Sequence, residues 1–230
     1  MKGVPADYFE RLSDAETSHW WHRGLREITV SLLGDRLTRP GQALLDAGCG
    51  AGGFLSFAET LGIFDRLVGV DVSEEGIELA RRAVPNAELA VAPVEALPFP
   101  DASFDVVVCN DVLQHVLEED VEQAIGELRR VLKGDGALFL RTNGARRGHQ
   151  ARSDWRIYDA RGLRDALEGA GFRCERLTYV NLVGSLWALA RGQAPRPPTE
   201  TAHGIPGGGD GLLGRINARL HRGGRGSRPR

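Results

Sequence analysis

The chain has 230 residues and a mass of 25.0 kDa, the size of one ordinary domain with extensions at its ends. Hydrophobic residues make up 42% and charged residues 26%, so the composition excludes both a fully disordered chain and a coiled coil. The net charge of −2 does not favour a dedicated nucleic-acid-binding protein, and three widely spaced cysteines form neither a disulfide framework nor a zinc-binding pair.

The first ten residues contain no apolar stretch of the signal-peptide type, so we expect no secretory signal. The longest apolar run, at 182–190, is about half of the ~20 residues that a membrane span needs. We therefore expect a cytoplasmic protein without an integral membrane segment.

Strand and helix signals alternate from about residue 40 onward. Apolar runs predict strands at 43–46, 67–71, 87–92, 104–110, 137–142 and 172–180. Helical spacing predicts helices at 54–61, from the N-cap Ser73 onward, at 118–132 and at 161–170. Gly134 and Gly136 are expected to form the turn after the third of these helices. This alternation predicts an α/β fold with a mostly parallel, doubly wound sheet and right-handed crossovers.

The last forty residues differ in composition from the rest. Residues 191–230 carry eight arginines against two acids, a net charge of +6, together with proline-rich and glycine-rich runs. We predict a linker at 191–211, followed either by a solvated tail or by a short amphipathic helix on an anionic surface or on the domain itself. The predicted boundaries are an N-terminal helical segment at 1–39, the α/β domain at 40–190 and a flexible tail at 191–230.

A glycine-rich loop follows the first predicted strand. Gly48, Gly50 and Gly53 satisfy GxGxxG, and Asp71 ends the next strand, a pattern that is also typical of a dinucleotide dehydrogenase. Asp46 argues against that reading, because a carboxylate beside a pyrophosphate would cost on the order of a few kcal/mol. A cationic cofactor such as S-adenosylmethionine (SAM), with an ammonium, a sulfonium and no phosphate, would be attracted instead.

Four stretches in chain order resemble the class I SAM-dependent methyltransferases. They are LLDAGCGAG at 44–52, VGVDVS at 68–73, VEALPFPDASFDVVVCN at 94–110 and VLKGDGALFL at 131–140. The resemblance implies a Rossmann-like, doubly wound, mostly parallel seven-stranded sheet with helices on both faces, and SAM as the cofactor. The seventh strand would be residues 184–190, which suit a helix equally well.

The resemblance also implies roles for individual residues. Gly48, Gly50 and Gly52 would let the backbone approach the methionine part of SAM. Asp46 would attract the ammonium group and Asp71 would accept both ribose hydroxyls, although either carboxylate could instead only cap a turn or helix.

Further cofactor contacts follow from the same resemblance. Asn110 would lie near the SAM methionine and the transferred methyl group, or else be a polar turn residue. Val72 would contact the cofactor, and Val94 and Glu95 would lie at the adenine. The family commonly has an acidic residue where this chain has Pro93, so adenine recognition would fall to the backbone at Val94, to Glu95 or to water.

HWWHRGLRE at 19–27 is similar to a Trp-Trp-aromatic-Arg stretch in a bacterial subgroup of ubiquinone-type and natural-product methyltransferases, whose N-terminal helix covers the site. Residues 1–39 would then be a lid. Trp20 and Trp21 would attract the sulfonium or simply pack, and Arg23 would pair with the SAM carboxylate or lie in water. His22 stands where the subgroup has its aromatic residue.

For the reaction itself, His115 is the imidazole best placed to remove a proton, or it is a structural hydrogen-bonding residue. Asp111 would face the same crevice as Asn110. Five arginines in 141–156, against one acid, predict an anionic acceptor or a solvated loop. No His, Asp or Glu grouping has metal-ligand spacing.

We therefore expect methyl transfer from SAM to an oxygen, nitrogen or carbon nucleophile of a small molecule. Three alternatives stay open: other chemistry on bound SAM, such as cyclisation, a dinucleotide oxidoreductase, and a non-catalytic SAM-binding subunit.

Overall fold

The computed structural model of the chain describes residues 20–37, 39–144 and 156–179. Several predictions concern residues outside these ranges. They are the basic tail at 191–230, the seventh strand at 184–190, and Arg146, Arg147 and Arg152 of the basic segment.

Five parallel strands form one sheet in the order β3-β2-β1-β4-β5. The strands are β1 (Gln42–Ala47), β2 (Phe64–Asp71), β3 (Glu88–Val91), β4 (Phe104–Asn110) and β5 (Leu132–Arg141). The helices are α1 (Trp20–Leu33), α2 (Gly53–Leu61), α3 (Glu74–Ala83), α4 (Val121–Val131) and α5 (Ala160–Gly169). The winding direction reverses between β1 and β4, so the carboxyl ends of these two strands flank the crevice in which such sheets bind ligands.

The core lies on both faces of the sheet because neighbouring residues of a strand point to opposite sides. Leu45 and Val107 pack with α4 and α5 on one face. Leu44 and Val106 pack on the other face, where α1, α2 and α3 contribute Leu33, Leu55 and Ile77. The prediction of a parallel α/β sheet covered by helices on both faces is confirmed.

Two helix boundaries have clear local causes. The Ser73 hydroxyl accepts a hydrogen bond from the Gly76 N–H at 3.1 Å, so the predicted N-cap of α3 is confirmed. Gly171 follows α5 with φ of 88° and donates its N–H to the Glu168 carbonyl.

The turn predicted at Gly134 and Gly136 is instead a bulge within β5, whose register against β4 shifts from Leu132–Phe104 to Ala137–Val106. α4 ends at Val131 and β5 begins at the next residue, so both glycines lie inside the strand. A Cβ at Gly136 would lie 2.9 Å from the Asp105 carbonyl oxygen. Glycine is therefore needed at this position because β4 and β5 approach each other closely.

The predicted strand at 172–180 is also wrong over the residues that the structure describes. Residues 172–179 have no regular secondary structure. The Phe172 N–H donates to the Leu167 carbonyl, and Phe172 and Leu177 pack against the core, so this segment follows the end of α5 instead of pairing in the sheet. Across the described ranges the sheet thus has five strands instead of the seven expected.

Candidate active site

The glycine loop turns sharply at the carboxyl end of β1. Gly48, Gly50 and Gly52 have φ values of 87°, 52° and 84°, all in the left-handed region. The N–H groups of Gly48 and Cys49 both donate to the Val70 carbonyl, at 2.8 and 2.9 Å, which ties the loop to β2. A Cβ at Gly48 would lie 2.1 Å from Cγ2 of Val112, so the loop is also packed closely against the segment after β4.

Asp71 braces this loop from the end of β2. Its Oδ2 accepts a hydrogen bond from the Gly50 N–H at 2.9 Å, and its Oδ1 accepts one from the Ser73 N–H at 2.9 Å. The carboxylate therefore fixes both the glycine loop and the start of α3. Because each carboxylate oxygen has two lone pairs, one on each oxygen remains for a ligand hydroxyl.

The carboxyl ends of β1 and β4 carry negative charge. Asp46 is only 2% exposed and lies beside Val108 of β4. Burial, and then the charges of Asp46 and Asp111, raise the pKa of the Cys109 thiol far above its usual range, so this cysteine stays protonated and inert. The buried Asp46 carboxylate would favour a cationic group in the crevice.

Asn110 is the last residue of β4. Its Oδ1 is buried and has no hydrogen-bond partner among the described residues. An unsatisfied buried acceptor is uncommon in native proteins and marks a place where a ligand or water completes the bonding. The sequence resemblance predicts that the SAM methionine lies near this position.

The residues proposed around the adenine differ in exposure. Val72 is 53% exposed and offers an apolar surface next to Asp71, whereas Val94 is 5% exposed and buries its side chain in the core. The Glu95 carbonyl accepts a hydrogen bond from Gln123 Nε2 at 2.9 Å. Of Val94, therefore, the backbone and not the side chain is available to a cofactor.

An arginine–glutamate pair holds the loop that carries Val94 and Glu95. Arg130 binds both carboxylate oxygens of Glu127 at 2.6 and 2.7 Å and donates to the carbonyls of Leu97 and Phe99. Glu127 in turn accepts the Leu97 N–H at 2.8 Å. The pKa of Glu127 lies below its ordinary value, chiefly because of the hydrogen bonds from Arg130.

We expect Arg130→Met to destabilise the protein by about 2 kcal/mol, since hydrogen bonds to charged groups contribute ~1.5–3 kcal/mol each and the loop carbonyls also lose their donor. Because folding lowers the pKa of Glu127, its contribution is present above the unfolded pKa near 4.5 and is lost as the pH falls through the folded value. Urea unfolding between pH 7 and pH 3 should show that the free energy of unfolding falls less on acidification in the variant than in the unaltered chain. Arg161→Met, at a side chain 91% exposed, is the matched control and should change neither quantity.

Asp111, predicted to face the crevice, is paired with Arg141. Its Oδ2 accepts from Nε and Nη2 of Arg141 at 3.0 and 2.6 Å, because the neighbouring ends of β4 and β5 bring the two side chains together. The pair also removes Arg141 from the arginines that could bind an anionic acceptor.

His115 is exposed, and its ring contacts a buried glutamine. Gln114 is 5% exposed, and its Oε1 accepts the Asn143 N–H at 3.1 Å, which leaves its amide NH₂ facing the His115 Nε2 at 3.5 Å. Sequence reasoning missed Gln114, and a single glutamine in a polar stretch gives no signal of this role.

The N-terminal helix α1 packs against the sheet layer through its later turns. Leu25, Thr29 and Leu33 are buried, and Arg26 lies over the Phe57 ring of α2 at 5.6 Å. The side chains of Trp20, Trp21 and Arg23 lie outside the described residues, so their roles and the lid remain predictions.

Two kinds of feature are absent from the described ranges. No helix there has both the length and the apolar character that crossing a membrane requires. In the same ranges, no three His, Cys, Asp or Glu residues group so that they could hold a metal ion.

Comparison with known proteins shows a likeness to methyltransferases over part of the chain. Residues 45–140 match a family model described as a methyltransferase domain. The O-methyltransferase cnsE of Penicillium expansum is 32% identical over 137 residues, which are 53% of this chain and 48% of that protein. The ubiquinone/menaquinone biosynthesis C-methyltransferase UbiE of Ectopseudomonas mendocina (strain ymp) is 29% identical over 211 residues, 76% of this chain and 80% of that protein.

Among solved structures, the 4+2 cyclase SpnF is 27% identical with a TM-score of 0.57, covering 66% of this chain and 59% of that one. The chain spans only 37% to 62% of the length of six curated relatives that are 30–40% identical to it.

Proposed function

We propose that this chain transfers a methyl group from SAM to an oxygen, nitrogen or carbon nucleophile of a small molecule, because residues 45–140 match a methyltransferase domain and the chain is similar to an O-methyltransferase and a C-methyltransferase. The observation that carries the proposal is Asp71, whose two oxygens are fixed by the Gly50 and Ser73 N–H groups at the carboxyl edge of β2. A carboxylate held this way can accept two neighbouring hydroxyls of a ribose without first reorganising.

The chain's own residues fit SAM by their chemistry. We assign the methionine part to Gly48, Gly50, Gly52 and Asn110, with Asp46 supplying the charge that attracts the ammonium group. The buried, unsatisfied Asn110 Oδ1 supports this assignment, since it needs a donor.

The remaining contacts complete the proposed cofactor site. Asp71 holds the ribose, Val72 with the backbone at Val94 and Glu95 holds the adenine, and Arg23 pairs with the SAM carboxylate. When bound, SAM supplies an activated methyl group on a sulfonium, so the protein's work is to bind, orient and exclude water. Positioning of this kind can lower a barrier by roughly 7–11 kcal/mol.

We assign proton removal from the acceptor to His115, where the acceptor needs a base. The support is its exposed place beside Gln114 in the segment after β4, at the carboxyl edge of the sheet. We further place the chain in the subgroup with the Trp-Trp-x-Arg stretch, whose members resemble ubiquinone-type and natural-product methyltransferases.

The test is ligand-dependent stability followed by turnover. SAM and S-adenosylhomocysteine should each raise the melting temperature, since ligand at 100 times its Kd stabilises by ~2.7 kcal/mol, whereas NAD should not. Incubation with SAM and a panel of phenols, enolisable ketones, carboxylic acids and amines should yield S-adenosylhomocysteine and a product one methylene heavier. Stabilisation by NAD alone would contradict the proposal.

A second candidate is a SAM-binding protein that does not methylate, because the chain is similar to a cyclase as well as to methyltransferases. In that case SAM would raise the melting temperature, but no acceptor would gain mass and no S-adenosylhomocysteine would form. A non-catalytic SAM-binding protein would also be stabilised by SAM and would also give no methylated product. It would differ from a cyclase in forming no rearranged product of unchanged mass either.

A further inference from the structure

Two buried hydrogen-bond donors lie unused beyond the carboxyl end of β5. The hydroxyl oxygen of Thr142 and Nε of Arg156 are both buried and have no hydrogen-bond partner among the described residues. Native proteins leave few polar groups in this condition, because an unmade buried hydrogen bond is costly. Neither residue is needed for the cofactor contacts proposed above.

Gln114 brings the two residues to one place. Its carbonyl accepts the Arg156 N–H at 3.1 Å, and its side-chain Oε1 accepts the N–H of Asn143, the neighbour of Thr142, at 3.1 Å. The Tyr158 N–H donates to the Asn143 carbonyl at 2.9 Å, and the Tyr158 hydroxyl donates to the Leu113 carbonyl at 3.0 Å. These four bonds join the segment after β4 to the residues on either side of the basic stretch.

The charge at this place is positive and weakly compensated. Arg141 is neutralised by Asp111 at 2.6 Å. The partner that the structure gives Arg156 is Glu118 at 3.7 Å, whose side chain is 88% exposed. An exposed ion pair at that distance contributes little, so the Arg156 charge stays available to a ligand.

We propose that Thr142 and Arg156 form a subsite that binds an anionic oxygen of the methyl acceptor, a carboxylate or a phosphate. The inference rests on the proposed function, since it places this group beside the site where methyl transfer would occur. Both protein groups donate hydrogen bonds, and a guanidinium with a neighbouring hydroxyl matches the lone pairs of such an oxyanion. A neutral amide of the same shape would bring its own donors towards these donors and bind less well.

The test uses the full chain, with and without S-adenosylhomocysteine, and three probes: benzoate, phenyl phosphate and benzamide. Calorimetry or NMR titration should show binding of benzoate or phenyl phosphate and at least tenfold weaker binding of benzamide. Arg156→Met and Thr142→Val should each weaken the anionic probe at least tenfold. Arg161→Met removes the same charge from an exposed helix position and should leave it unchanged.

The melting temperature of Thr142→Val distinguishes the proposed subsite from a purely structural role of the threonine. Valine has the same shape without the unsatisfied hydroxyl, so we expect the melting temperature to rise by about 2–4 °C while the anionic probe binds more weakly. Backbone bonding of residue 156 to Gln114 is retained in Arg156→Met, so that variant should fold.

The outcomes separate the subsite from the proposed function. Equal binding of benzoate, phenyl phosphate and benzamide, no binding of either anion, or unchanged affinity in both variants would overturn the subsite, whatever SAM does. Failure of SAM to bind would overturn the proposed function alone, because the anionic probes are also titrated without cofactor. Which of the two anions binds more tightly identifies the acceptor group as a carboxylate or a phosphate.

Discussion

Gly48→Ala is expected to abolish measurable SAM binding and to destabilise the protein by about 3 kcal/mol. The new Cβ would lie 2.1 Å from Cγ2 of Val112, far inside van der Waals contact, and the residue has φ of 87°. Overpacking costs ~1–3 kcal/mol and a left-handed non-glycine residue a further ~1–2 kcal/mol. Relief of the clash must move the glycine loop, which carries proposed SAM contacts, or Val112, which lies two residues after Asn110. Chemical denaturation and calorimetry with S-adenosylhomocysteine measure the two effects.

A double-mutant cycle identifies the cause of the loss. Val112→Ala removes Cγ2, and the remaining Val112 Cβ lies 3.3 Å from the position that the new methyl group would take, a tight but tolerable contact. We expect Gly48→Ala with Val112→Ala to recover at least ~1 kcal/mol relative to the sum of the single variants, while the φ strain persists. Strict additivity would show that the clash with Val112 is not the source of the instability.

Asp71→Asn should weaken SAM binding at least tenfold, about 1.4 kcal/mol, and also loosen the glycine loop. The carboxylate accepts two backbone N–H groups, from Gly50 and Ser73, on separate oxygens. An asparagine has one acceptor oxygen, so its NH₂ would face one of these N–H groups as a second donor. Both the ribose contact and the loop geometry would suffer, and titration calorimetry with SAM measures the change in affinity.

Asp165→Asn is the control for the lost charge, because Asp165 lies on α5 with a side chain 65% exposed. It should bind SAM as the unaltered chain does. If Asp71→Asn bound SAM with unchanged affinity, the ribose assignment would be wrong and Asp71 would be a structural brace only. Added salt should not rescue the variant, since the defect is a misplaced donor and not a diffuse field.

Much of the fold could be predicted from local patterns. The strand at 104–110 has the observed boundaries, and Ser73 caps α3 as its place before a helical pattern indicates. Such features depend on neighbouring residues, because a strand's apolar run and a helix cap are satisfied within a few positions of the chain. The chain order of the four methyltransferase-like stretches is likewise visible in the sequence without knowledge of the fold.

The errors have one physical character. Gly136 looked like a turn residue because the contact that requires a glycine there is not visible locally. That contact is the approach of Asp105 on β4, about thirty positions away. The partner of Asp111 could not be predicted either, because the strand register brings Arg141 to it from thirty positions away. The segment at 172–179 has apolar residues, but these pack on the core beside α5 without joining the sheet.

The sequence by itself determined the α/β class, the parallel sheet and the likeness to methyltransferases, because periodicity, glycines and acids at strand ends are local properties of the chain. Only the tertiary structure decided which polar groups are already satisfied and which are not. Asp71 is held by two backbone N–H groups, whereas Asn110, Thr142 and Arg156 each have a buried polar atom that lacks a partner among the described residues. Hydrogen-bond partners from distant segments meet only in the folded chain, so residue types and their spacing cannot report this difference.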